Sequence, residues 1–558
     1  MSKLLTHKTT LLILIILLAF FLRFNKVTTD PPSLNWDEVS IAYNSYSILK
    51  TGHDEWGQFL PIHFKAFGEY KLPSQIYFSI PGIWLFGLNE LGVRITPVVY
   101  GTLTVLLLFF LVKELLDNQW VGLISAFLLS ISPWHIQLTR GSFESSFSVF
   151  WVVLGLWLIL KATHVKDKLT NWYLILGGLA FSVSIYTYNS ARVFAPMFLL
   201  FLAWYFRQWL LSHKKNVAIA TAVFLITLIP VVQFILQTGG NSRYKLVSVT
   251  DDPGLIPRID QARNNSTLPH IFNILVNNRY SYASYYIAGN YLAHFDPRFL
   301  FISGAPHKQH HVQGVGEMYL FQLPLVLYGL WVMWKKKLKY RGILIAWTLL
   351  VFIPVSVTND SIPNALRTLL AVIPYEIICA IGGYYGYLKL KKQDRNWLPV
   401  LRIIAIFVVL VSISLYLYNY YFNYPKNYSR DWQYGYKQAV DYMKLNQDQY
   451  DQIVFSRTYG EPHIFVLFFT AYDPVKFLND KNLIRYEDHH WIWVYHFDKY
   501  WFPDLGDVGT KYADWVKNNP GQKILFVGKQ GDFPADRPVL DQVNFLSGDP
   551  AFEVVNNK

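Results

Sequence analysis

Long apolar runs recur along the first three-quarters of this 558-residue chain, and no other feature limits its fold as strongly. The hydrocarbon core of a bilayer is about 30 Å thick, so a helix of about 20 apolar residues spans it. The first run lacks the small-residue cleavage site of a signal peptide, and we interpret it as an uncleaved helix. The eleven candidate spans are residues 11–22, 93–112, 120–133, 143–160, 171–186, 193–211, 216–236, 317–334, 342–357, 367–388 and 398–418.

The charged residues are few and unevenly distributed. They make up 16% of the chain, against about a quarter in soluble domains, which favours a mainly α-helical, polytopic membrane protein. Of the 50 Lys+Arg and 37 Asp+Glu residues, the segment 420–558 holds 15 and 18, so the net charge of +13 belongs to the apolar part. Basic loop residues orient membrane helices, so binding to nucleic acid is a poor explanation of this charge.

The basic residues also predict how the chain lies in the membrane. Loops that contain Lys161, Arg207 and Lys335 alternate with loops of the opposite side, and cytoplasmic loops carry the excess of Lys and Arg. We therefore predict a cytoplasmic N-terminus in a plasma (inner) membrane, and an odd number of spans places the C-terminus outside. Two outer loops, 24–92 and 237–316, are long enough to be functional or separately structured.

The character of the sequence changes after the last span. Residues 431–445 have a helical pattern, and strand patterns follow it at 451–457, 491–497 and 523–528. We predict a transmembrane domain over residues 1–419 and an extracytoplasmic α/β domain over residues 420–558. No nucleotide-binding fingerprint is present in the second domain.

The first outer loop contains two charged motifs. NWDEVSIAYN places Asp37 beside Glu38 directly after the first span, and FGEYKLPSQIYF contains Glu69 and Lys71. A carboxylate at a membrane surface can act as a base where burial or a partner tunes it. The alternatives are a solvated pair, or a cap of the following helix by Asp37. Short apolar stretches in the same loop predict helices that lie in the membrane interface.

Further charged residues lie in the shorter outer loops. Arginine forks match the oxygens of a phosphate, so several arginines on one membrane face predict a phosphate site. The alternative for each arginine is that its side chain snorkels to the membrane interface. For Arg140 and Glu144, a further alternative is an i,i+4 ion pair on one helix. The candidates are Arg140 and Glu144 in SPWHIQLTRGSFESSF, Tyr188 and Arg192 in YTYNSARVF, and Arg367 in IPNALRTLLAVIP.

Metal chemistry has little support in the sequence. The cluster HKQHH offers His307, His310 and His311 as ligands, but without the i,i+4 spacing of a helical site. The single cysteine, Cys379, excludes an intramolecular disulfide and a Cys-based metal site. The sequence predicts no certain cofactor, and a divalent metal bound by these histidines is the only candidate it offers. Glu376 is the acid well inside a span, where it either faces a cavity or bonds to a neighbouring helix.

Taken together, these motifs resemble the GT-C glycosyltransferases, particularly the protein O-mannosyltransferase-like family 39 and its aminoarabinose-transferase relatives. NWDEVSIAYN is similar to their first-loop acidic motif, FGEYKLPSQIYFSIPG to their Glu/Lys-Pro segment, and LGVRITPVVYGTLTV to the start of their second span. ISPWHIQLTRGSFESSF resembles their second-loop motif, and NALRTLLAVIPYEI a late span. The likeness is clearest over residues 30–195 and much weaker in the long loop and the C-terminal domain.

The resemblance implies an enzyme that moves a sugar from a polyprenyl-phosphate carrier to an acceptor on the outer face. Asp37 is then the base that deprotonates the acceptor, opposite the departing phosphate, so that the anomeric carbon is inverted. A phosphate leaving group needs positive charge rather than an acid. The resemblance assigns Glu38 and Glu144 to the catalytic group, and it assigns substrate binding to Glu69, Lys71 and Arg140. Tyr188, Arg192 and Arg367 are added as substrate-binding candidates because the predicted topology places them on the same outer face.

One departure from the family pattern concerns the donor. The aminoarabinose-transferase relatives carry an arginine shortly after the acidic pair, whereas Val39, Ser40 and Ile41 follow it here. Contact with the phosphate must therefore come from elsewhere in the chain. The acceptor stays open among a protein, a lipid and a glycan, and membrane lipids are expected to surround the spans.

Two other functions compete with the enzyme. One is a transporter or flippase of lipid-linked sugars, which would be expected to show inverted repeats and polar residues at mid-membrane. The other is a non-catalytic envelope assembly protein that uses its outer domain for contacts. The charged candidates gather at one face of the membrane, and the sequence shows no internal repeat. This distribution favours an enzyme that acts at the interface.

Overall fold

A computed structural model describes residues 7–165, 169–238, 247–393, 397–488, 491–507 and 509–557. The chain divides into two units, each built from three stretches. The first unit contains Met1–Asn25, Pro97–Thr139 and Phe143–Asn419, and the second contains Lys26–Thr96, Arg140–Ser142 and Tyr420–Lys558. The second unit thus joins most of the first outer loop to the C-terminal part, an association that the sequence patterns do not predict.

The described part of the first unit is built from helices. Their bounds are His7–Phe24, Glu90–Leu116 (from Pro97 onward), Gln119–Ile131, Pro133–Arg140, Glu144–His164, Leu169–Ile185, Asn189–Tyr205, Arg207–Ser212, Lys214–Thr238, Leu255–Asn265, His270–Val276, Arg279–Ala293, Gln322–Lys335, Arg341–Leu350, Ile353–Ser356, Val372–Gln393 and Leu398–Tyr418. Shorter π or 3-10 turns occur at Arg298–Ile302, Leu369–Ala371 and Asn419–Asn423.

Within the described residues, six helices are long and apolar enough to cross a bilayer, or seven spans if one bent pair is counted. The bent pair, Gln119–Ile131 with Pro133–Arg140, turns by 56°, as expected where a proline interrupts the helical hydrogen bonds. The six are His7–Phe24, Glu90–Leu116, Glu144–His164, Lys214–Gln237, Leu369–Lys392 and Leu398–Tyr428.

These helices confirm a multi-pass membrane protein but not the predicted number of spans. A helix lies in each of the eleven predicted segments. Several of these helices are short, however, and Leu169–Ile185 and Arg341–Ser356 fall below the length of a full span. Apolar composition therefore located the helices. It did not predict the turns that end several of them before they reach the length of a full span.

Glycines allow two helices of the first unit to pack closely. A Cβ atom at Gly382 would lie 1.9 Å from the carbonyl oxygen of Leu325, and one at Gly329 would lie 2.1 Å from that of Ile378. Lipid tails are as apolar as the helix side chains, so helices in lipid associate through close packing rather than through the hydrophobic effect. A larger residue at either position would force the two backbones apart.

The second unit begins with the elements of the first outer loop. Two helices, Trp36–Thr51 and Pro73–Phe86, flank an antiparallel hairpin of strands β1 (Phe64–Ala66) and β2 (Glu69–Lys71). The loop therefore contains helices, as predicted, and their placement in a membrane interface stays a prediction. The C-terminal helices of this unit are Tyr424–Tyr428, Tyr436–Asn446, Pro462–Phe469, Pro474–Leu478 and Tyr512–Asn518.

A mixed sheet forms the C-terminal part of the second unit. Its described strands are β3 (Gln452–Phe455), β4 (Ile484–Asp488), β5 (Trp491–Phe497), β6 (Tyr500–Trp501), β7 (Ile524–Gly528), β8 (Asp541–Asn544) and β9 (Pro550–Asn556). They lie in the order β4-β5-β6-β3-β7-β9-β8, and β3 runs parallel to β6 and β7 while the other pairs are antiparallel. The segments predicted as strands correspond to β3, β5 and β7.

One hydrophobic core joins the two ends of the second unit's sequence. Val39 and Tyr43 of the helix Trp36–Thr51 are fully buried, as are Phe465 and Phe497 of the C-terminal part, and all four belong to the same cluster. Apolar burial stabilises a fold by roughly 25 cal/mol per Å². The helix that carries the acidic motif is therefore held in place by C-terminal side chains.

Candidate functional site

The helix Trp36–Thr51 begins with a complete capping box. Asn35 Oδ1 accepts a hydrogen bond from the Glu38 backbone N–H at 2.9 Å, and Glu38 Oε2 accepts one from the Asn35 backbone N–H at 3.2 Å. The pair satisfies two N–H groups that a helix start leaves without partners. The cap is therefore Asn35, and the alternative that Asp37 caps this helix is wrong.

Asp37 lies in the first turn of this helix and forms an ion pair with Lys71. The Asp37 side chain is 46% exposed, whereas that of Lys71 is only 3% exposed. The partial positive charge of a helix N-terminus also favours an anion at this position. The arrangement presents a solvent-accessible carboxylate beside a buried ammonium group.

The hairpin β1–β2 places Lys71 opposite Asp37. Phe67 occupies its turn with a φ of 51°, and the Lys71 Nζ lies 5.6 Å from the centroid of the Phe67 ring. Glu69 precedes Lys71 by two residues in β2. Side chains two apart in a strand share a face, so the predicted substrate residues Glu69 and Lys71 lie on one side of the hairpin.

Glu38 is fully buried and bonded on both carboxylate oxygens. Its Oε1 accepts from Arg94 Nε at 3.0 Å and from the Ser142 backbone N–H at 2.9 Å, and its Oε2 accepts from Arg94 Nη2 at 3.1 Å and from Asn35. A buried charge is tolerated when it is paired and hydrogen-bonded in this way. Its contacts make Glu38 a structural centre of the loop.

Arg94 extends this centre into the preceding loop. It is fully buried, and its Nη1 donates to the carbonyl oxygens of Val27 at 3.0 Å and Pro31 at 2.8 Å. Its Nη2 donates to the carbonyl oxygen of Ser33. The guanidinium group therefore fixes the loop between the first span and the acidic motif. The sequence contained a signal for this residue, since Arg94 is a lone charge in the apolar segment LGVRITPVV.

Arg140, a predicted phosphate ligand, is also fully buried, which excludes snorkelling for this arginine. Its Nε donates to Tyr420 Oη at 2.9 Å, its Nη1 to Tyr421 Oη at 3.3 Å, and its Nη2 to the Asp30 carbonyl oxygen at 2.7 Å. The helix that ends at Arg140 is followed by a new helix from Glu144. The two residues are thus not on successive turns of one helix, and the i,i+4 alternative is wrong.

Asp30 is a buried acid that lies outside the charged motifs of the sequence. Burial raises the pKa of its carboxyl group above the ordinary value, while a hydrogen bond from Thr29 and the charges of Arg140, Lys26 and Arg94 act against that rise. The Thr29 hydroxyl donates to Asp30 Oδ2 at 2.9 Å. The loop before the acidic motif therefore contains an acid whose charge is only partly compensated.

Four other predicted site residues belong to the first unit. Glu144 opens the helix Glu144–His164, and Tyr188 immediately precedes the helix that carries Arg192. Arg192 Nε donates to the Ile185 carbonyl oxygen at 3.3 Å. The convergence of these residues with Asp37 stays a prediction.

Arg367, the last of the four, is largely buried in the first unit and bonded to nearby groups. Its Nη1 donates to Thr358 Oγ1 at 2.8 Å, and its Nη2 donates to Asp360 Oδ2 at 2.6 Å. Asp360 is 49% exposed and is therefore accessible from solvent. An incoming phosphate would have to compete with this carboxylate for the guanidinium group.

The histidine cluster does not form a metal site. In the part of the chain that the structure describes, no group of three or more His, Cys, Asp or Glu side chains could hold a metal ion. The rings of His307 and His310 stack with centroids 3.6 Å apart. His311 is buried, with its Nδ1 3.0 Å from Glu317 Oε1 and its Nε2 2.7 Å from the Val315 carbonyl oxygen. Both ring nitrogens of His311 therefore contact protein groups instead of facing a metal position.

Glu376, the intramembrane acid, bonds to a neighbouring helix. Its Oε2 accepts from Gln322 Nε2 at 2.6 Å, and its side chain is fully buried. This geometry corresponds to the second of the two alternatives that the sequence left open. Glu376 therefore contributes a polar contact between two helices of the first unit.

Fold and site together define a class: a multi-pass membrane protein whose first outer loop and following helix build acid–cation pairs at the start of one helix. Comparison with known proteins narrows this class. The protein family described as dolichyl-phosphate-mannose-protein mannosyltransferase matches residues 75–234.

Among solved structures, ArnT from Cupriavidus metallidurans has the same fold over almost its whole length. The apo form gives a TM-score of 0.54 at 12% identity, over 98% of this chain and 97% of ArnT. The form bound to undecaprenyl phosphate gives 0.56 at 13% identity, over 99% and 98%. An oligosaccharyltransferase from Archaeoglobus fulgidus gives 0.52 at 14% identity, over 94% of this chain and 69% of that protein.

Two curated relatives match shorter parts of the sequence. The dolichyl-phosphooligosaccharide-protein glycotransferase 2 of Archaeoglobus fulgidus is 27% identical over 123 residues, 21% of this chain and 19% of the relative. The undecaprenyl phosphate-alpha-4-amino-4-deoxy-L-arabinose arabinosyl transferase of Pseudomonas paraeruginosa is 30% identical over 203 residues, 35% of each. The matches span about a third or less of these relatives. The predicted resemblance is confirmed: in a family match, in curated relatives and in fold, the chain is similar to GT-C glycosyltransferases of the protein-mannosyltransferase and ArnT type.

Proposed function

We propose that this protein is an inverting membrane glycosyltransferase that moves a sugar from a polyprenyl-phosphate donor to an acceptor hydroxyl or amine. The observation that carries the proposal is the accessible carboxylate of Asp37 beside the buried ammonium group of Lys71. One structure of ArnT contains bound undecaprenyl phosphate, and the fold shared with ArnT supports a lipid-phosphate donor. The N-terminus is proposed to be cytoplasmic and the C-terminal part extracytoplasmic.

In the proposed reaction, Asp37 accepts the proton of the acceptor group as that group attacks the anomeric carbon of the donor sugar. The bond between this carbon and the phosphate oxygen breaks, and the new glycosidic bond forms on the opposite face, which inverts the configuration. The departing polyprenyl phosphate carries negative charge. Lys71 stabilises that charge, and a fixed cation is effective because it needs no reorganisation during the step.

The remaining site residues take supporting roles in the proposal. Glu69 shares a hairpin face with Lys71, where it can bind donor or acceptor hydroxyl groups. Arg140, Tyr188, Arg192 and Arg367 are proposed contacts of the donor, and Glu144 a further acid of the site. A divalent metal stays a candidate cofactor, with no ligand group among the described residues to hold it.

The direct test uses membranes that contain the protein and labelled polyprenyl-phosphate sugars. We expect label to move into a protein, lipid or glycan fraction, and the labelled fraction identifies the acceptor. Asp37→Asn should reduce transfer by about 10²–10⁴-fold, the usual contribution of a positioned general base. Asp441→Asn, which changes an exposed acid of the helix Tyr436–Asn446, is the matched control and should transfer normally.

Two outcomes would contradict the proposal. Unchanged transfer by Asp37→Asn would remove Asp37 from the role of base. Movement of intact labelled donor across the membrane, with no labelled acceptor, would instead support the flippase alternative.

A further inference from the structure

The C-terminal part of the second unit supplies a hydrogen bond at the start of the helix Trp36–Thr51, which carries Asp37 and Glu38. Gln433 Oε1 accepts from the Trp36 backbone N–H at 2.8 Å, and Gln433 Nε2 donates to the Tyr459 carbonyl oxygen at 2.9 Å. The first N–H groups of a helix have no partner within the helix. Asn35 satisfies one of them, and Gln433 satisfies the one that directly precedes Asp37.

Gln433 holds an unfavourable backbone conformation in order to make these contacts. Its φ is 55°, in the left-handed region, and its side chain is largely buried. This region is unfavourable for a residue with a Cβ atom, which comes too close to the following carbonyl oxygen. Such strain persists only where the surrounding contacts impose it, and it concentrates at functional sites. A glycine would occupy this position without strain, yet the chain carries a glutamine.

The same part of the chain also holds the hairpin that carries Lys71. The Ile492 backbone N–H of β5 donates to the Phe67 carbonyl oxygen at 2.8 Å. The Trp491 ring stacks on the Phe67 ring, with centroids 6.1 Å apart and an angle of 12° between the planes. The indole N–H of Trp491 donates to Glu461, which is fully buried. The hairpin turn is therefore fixed by one backbone bond and one oriented ring.

We propose that Gln433 and Trp491 are positioning residues for the Asp37–Lys71 pair. Gln433 fixes the helix start that presents the acid, and Trp491 fixes the hairpin that presents the cation. This inference rests on the proposed function for its catalytic readout. It gives the segment after residue 420 a role in assembling the active site itself, in addition to any contact with an acceptor.

The decisive variant is Gln433→Gly, because glycine accepts a φ of 55° and so relieves strain while it removes both side-chain hydrogen bonds. We expect the variant to fold, with kcat reduced roughly 10–100-fold, since small misplacements of a reacting group have effects of this size. The KM for the polyprenyl-phosphate sugar should change by less than about threefold, because no donor contact is removed. Trp491→Phe keeps the ring stack but loses the bond to Glu461, and should reduce kcat about tenfold.

The matched control is Trp515→Phe. Trp515 lies in the same unit, and its indole N–H donates to Gln452 Oε1 at 3.1 Å, as the Trp491 indole donates to Glu461. It belongs to a separate hydrophobic cluster from Trp491. Its kcat should equal that of the wild type.

Amide hydrogen exchange provides a readout that does not depend on activity. We expect Gln433→Gly to accelerate exchange in the peptide 35–40, and Trp491→Phe to accelerate it in the peptide 64–71, while Trp515→Phe changes neither. Unchanged exchange in both peptides, or a loss of kcat no greater than that of the control, would overturn the inference. If the wild type transfers no sugar, the proposed function fails, and the exchange data alone then decide whether these residues hold the two elements.

Discussion

Asp37 and Glu38 are neighbours in sequence, but they lie in opposite surroundings. The Asp37 side chain is 46% exposed and pairs with Lys71, whereas the Glu38 side chain is fully buried. Glu38 accepts four hydrogen bonds, of which two come from Arg94. The difference shows that one helical turn can carry an acid available for chemistry and an acid committed to structure.

Physical chemistry explains why the two surroundings favour different behaviour of the two acids. A buried carboxylate needs most of its lone pairs occupied, and those bonds leave no oxygen for a substrate proton. An acid with one cationic partner and half its surface in solvent retains that capacity. Accessibility and the number of donors, rather than the charge itself, thus distinguish an acid that is open to a substrate from one that holds the loop in place.

The largest effect should come from removing the buried acid. Glu38→Ala leaves Arg94 without its partner in a dry site and opens the capping box, and breaking such a buried pair costs about 3–5 kcal/mol of unfolding free energy. Denaturant unfolding of the detergent-solubilised protein measures this loss. Asp37→Asn is the control, with an expected change below about 1 kcal/mol because the pair is partly solvated on the Asp37 side and the amide oxygen can still accept from Lys71. Equal losses for the two variants would remove the distinction between them.

Removing the cation of the exposed pair should affect activity rather than stability. Lys71→Met keeps the length of the side chain but deletes its charge, and we expect kcat for sugar transfer to fall about 10²-fold, as for the loss of one charge-stabilising group. Initial rates with labelled polyprenyl-phosphate sugar measure this change. Lys65→Met is the matched control, since Lys65 lies on β1 of the same hairpin with its Nζ 4.7 Å from the Trp56 ring centroid. A normal rate for Lys71→Met would show that another group stabilises the phosphate.

The helices were largely predictable from sequence, whereas their lengths were not. Apolar composition placed a helix in every predicted span, because burying a backbone in lipid requires helical hydrogen bonds. The predicted span 317–334 nevertheless begins only at Gln322. Before it, Glu317 pairs with His311 in a loop, and a contact of this kind leaves no trace in a hydropathy pattern.

The site was predictable as a set of motifs but not as a set of roles. The spacing of the motifs brought Asp37 and Lys71 forward together, and the structure pairs them. The resemblance selected Asp37 as the base, but the sequence could not show that Glu38 is held by Arg94, which lies 56 residues further along the chain. Gln433 was out of reach for the same reason, since 397 residues separate it from its partner Trp36.

Asp30 extends the comparison to a third acid, and it should give the smallest effect. Glu38 accepts four hydrogen bonds, whereas Asp30 is buried with the Thr29 hydroxyl as a donor, and its pKa is raised mainly by burial. Because the pKa of Asp30 is higher in the folded state, Asp30 loses its proton at a lower pH in the unfolded state than in the folded state. Stability should therefore fall as the pH rises from about 3.8, the ordinary pKa of this group, through the folded-state pKa, and then level off.

Asp30→Asn tests this sign directly. The amide oxygen can still accept from Thr29, but the group no longer ionises, so the variant should be slightly more stable than the wild type at neutral pH. The difference should shrink towards zero as the pH falls below the ordinary aspartate pKa, where Asp30 of the wild type is protonated in both the folded and the unfolded state. Unfolding curves at several pH values measure it, and Asp441→Asn, an exposed acid, should show no such trend. A variant that is less stable at neutral pH would mean that the charges of Arg140, Lys26 and Arg94 outweigh the burial of Asp30, and that this acid, like Glu38, is an anchor.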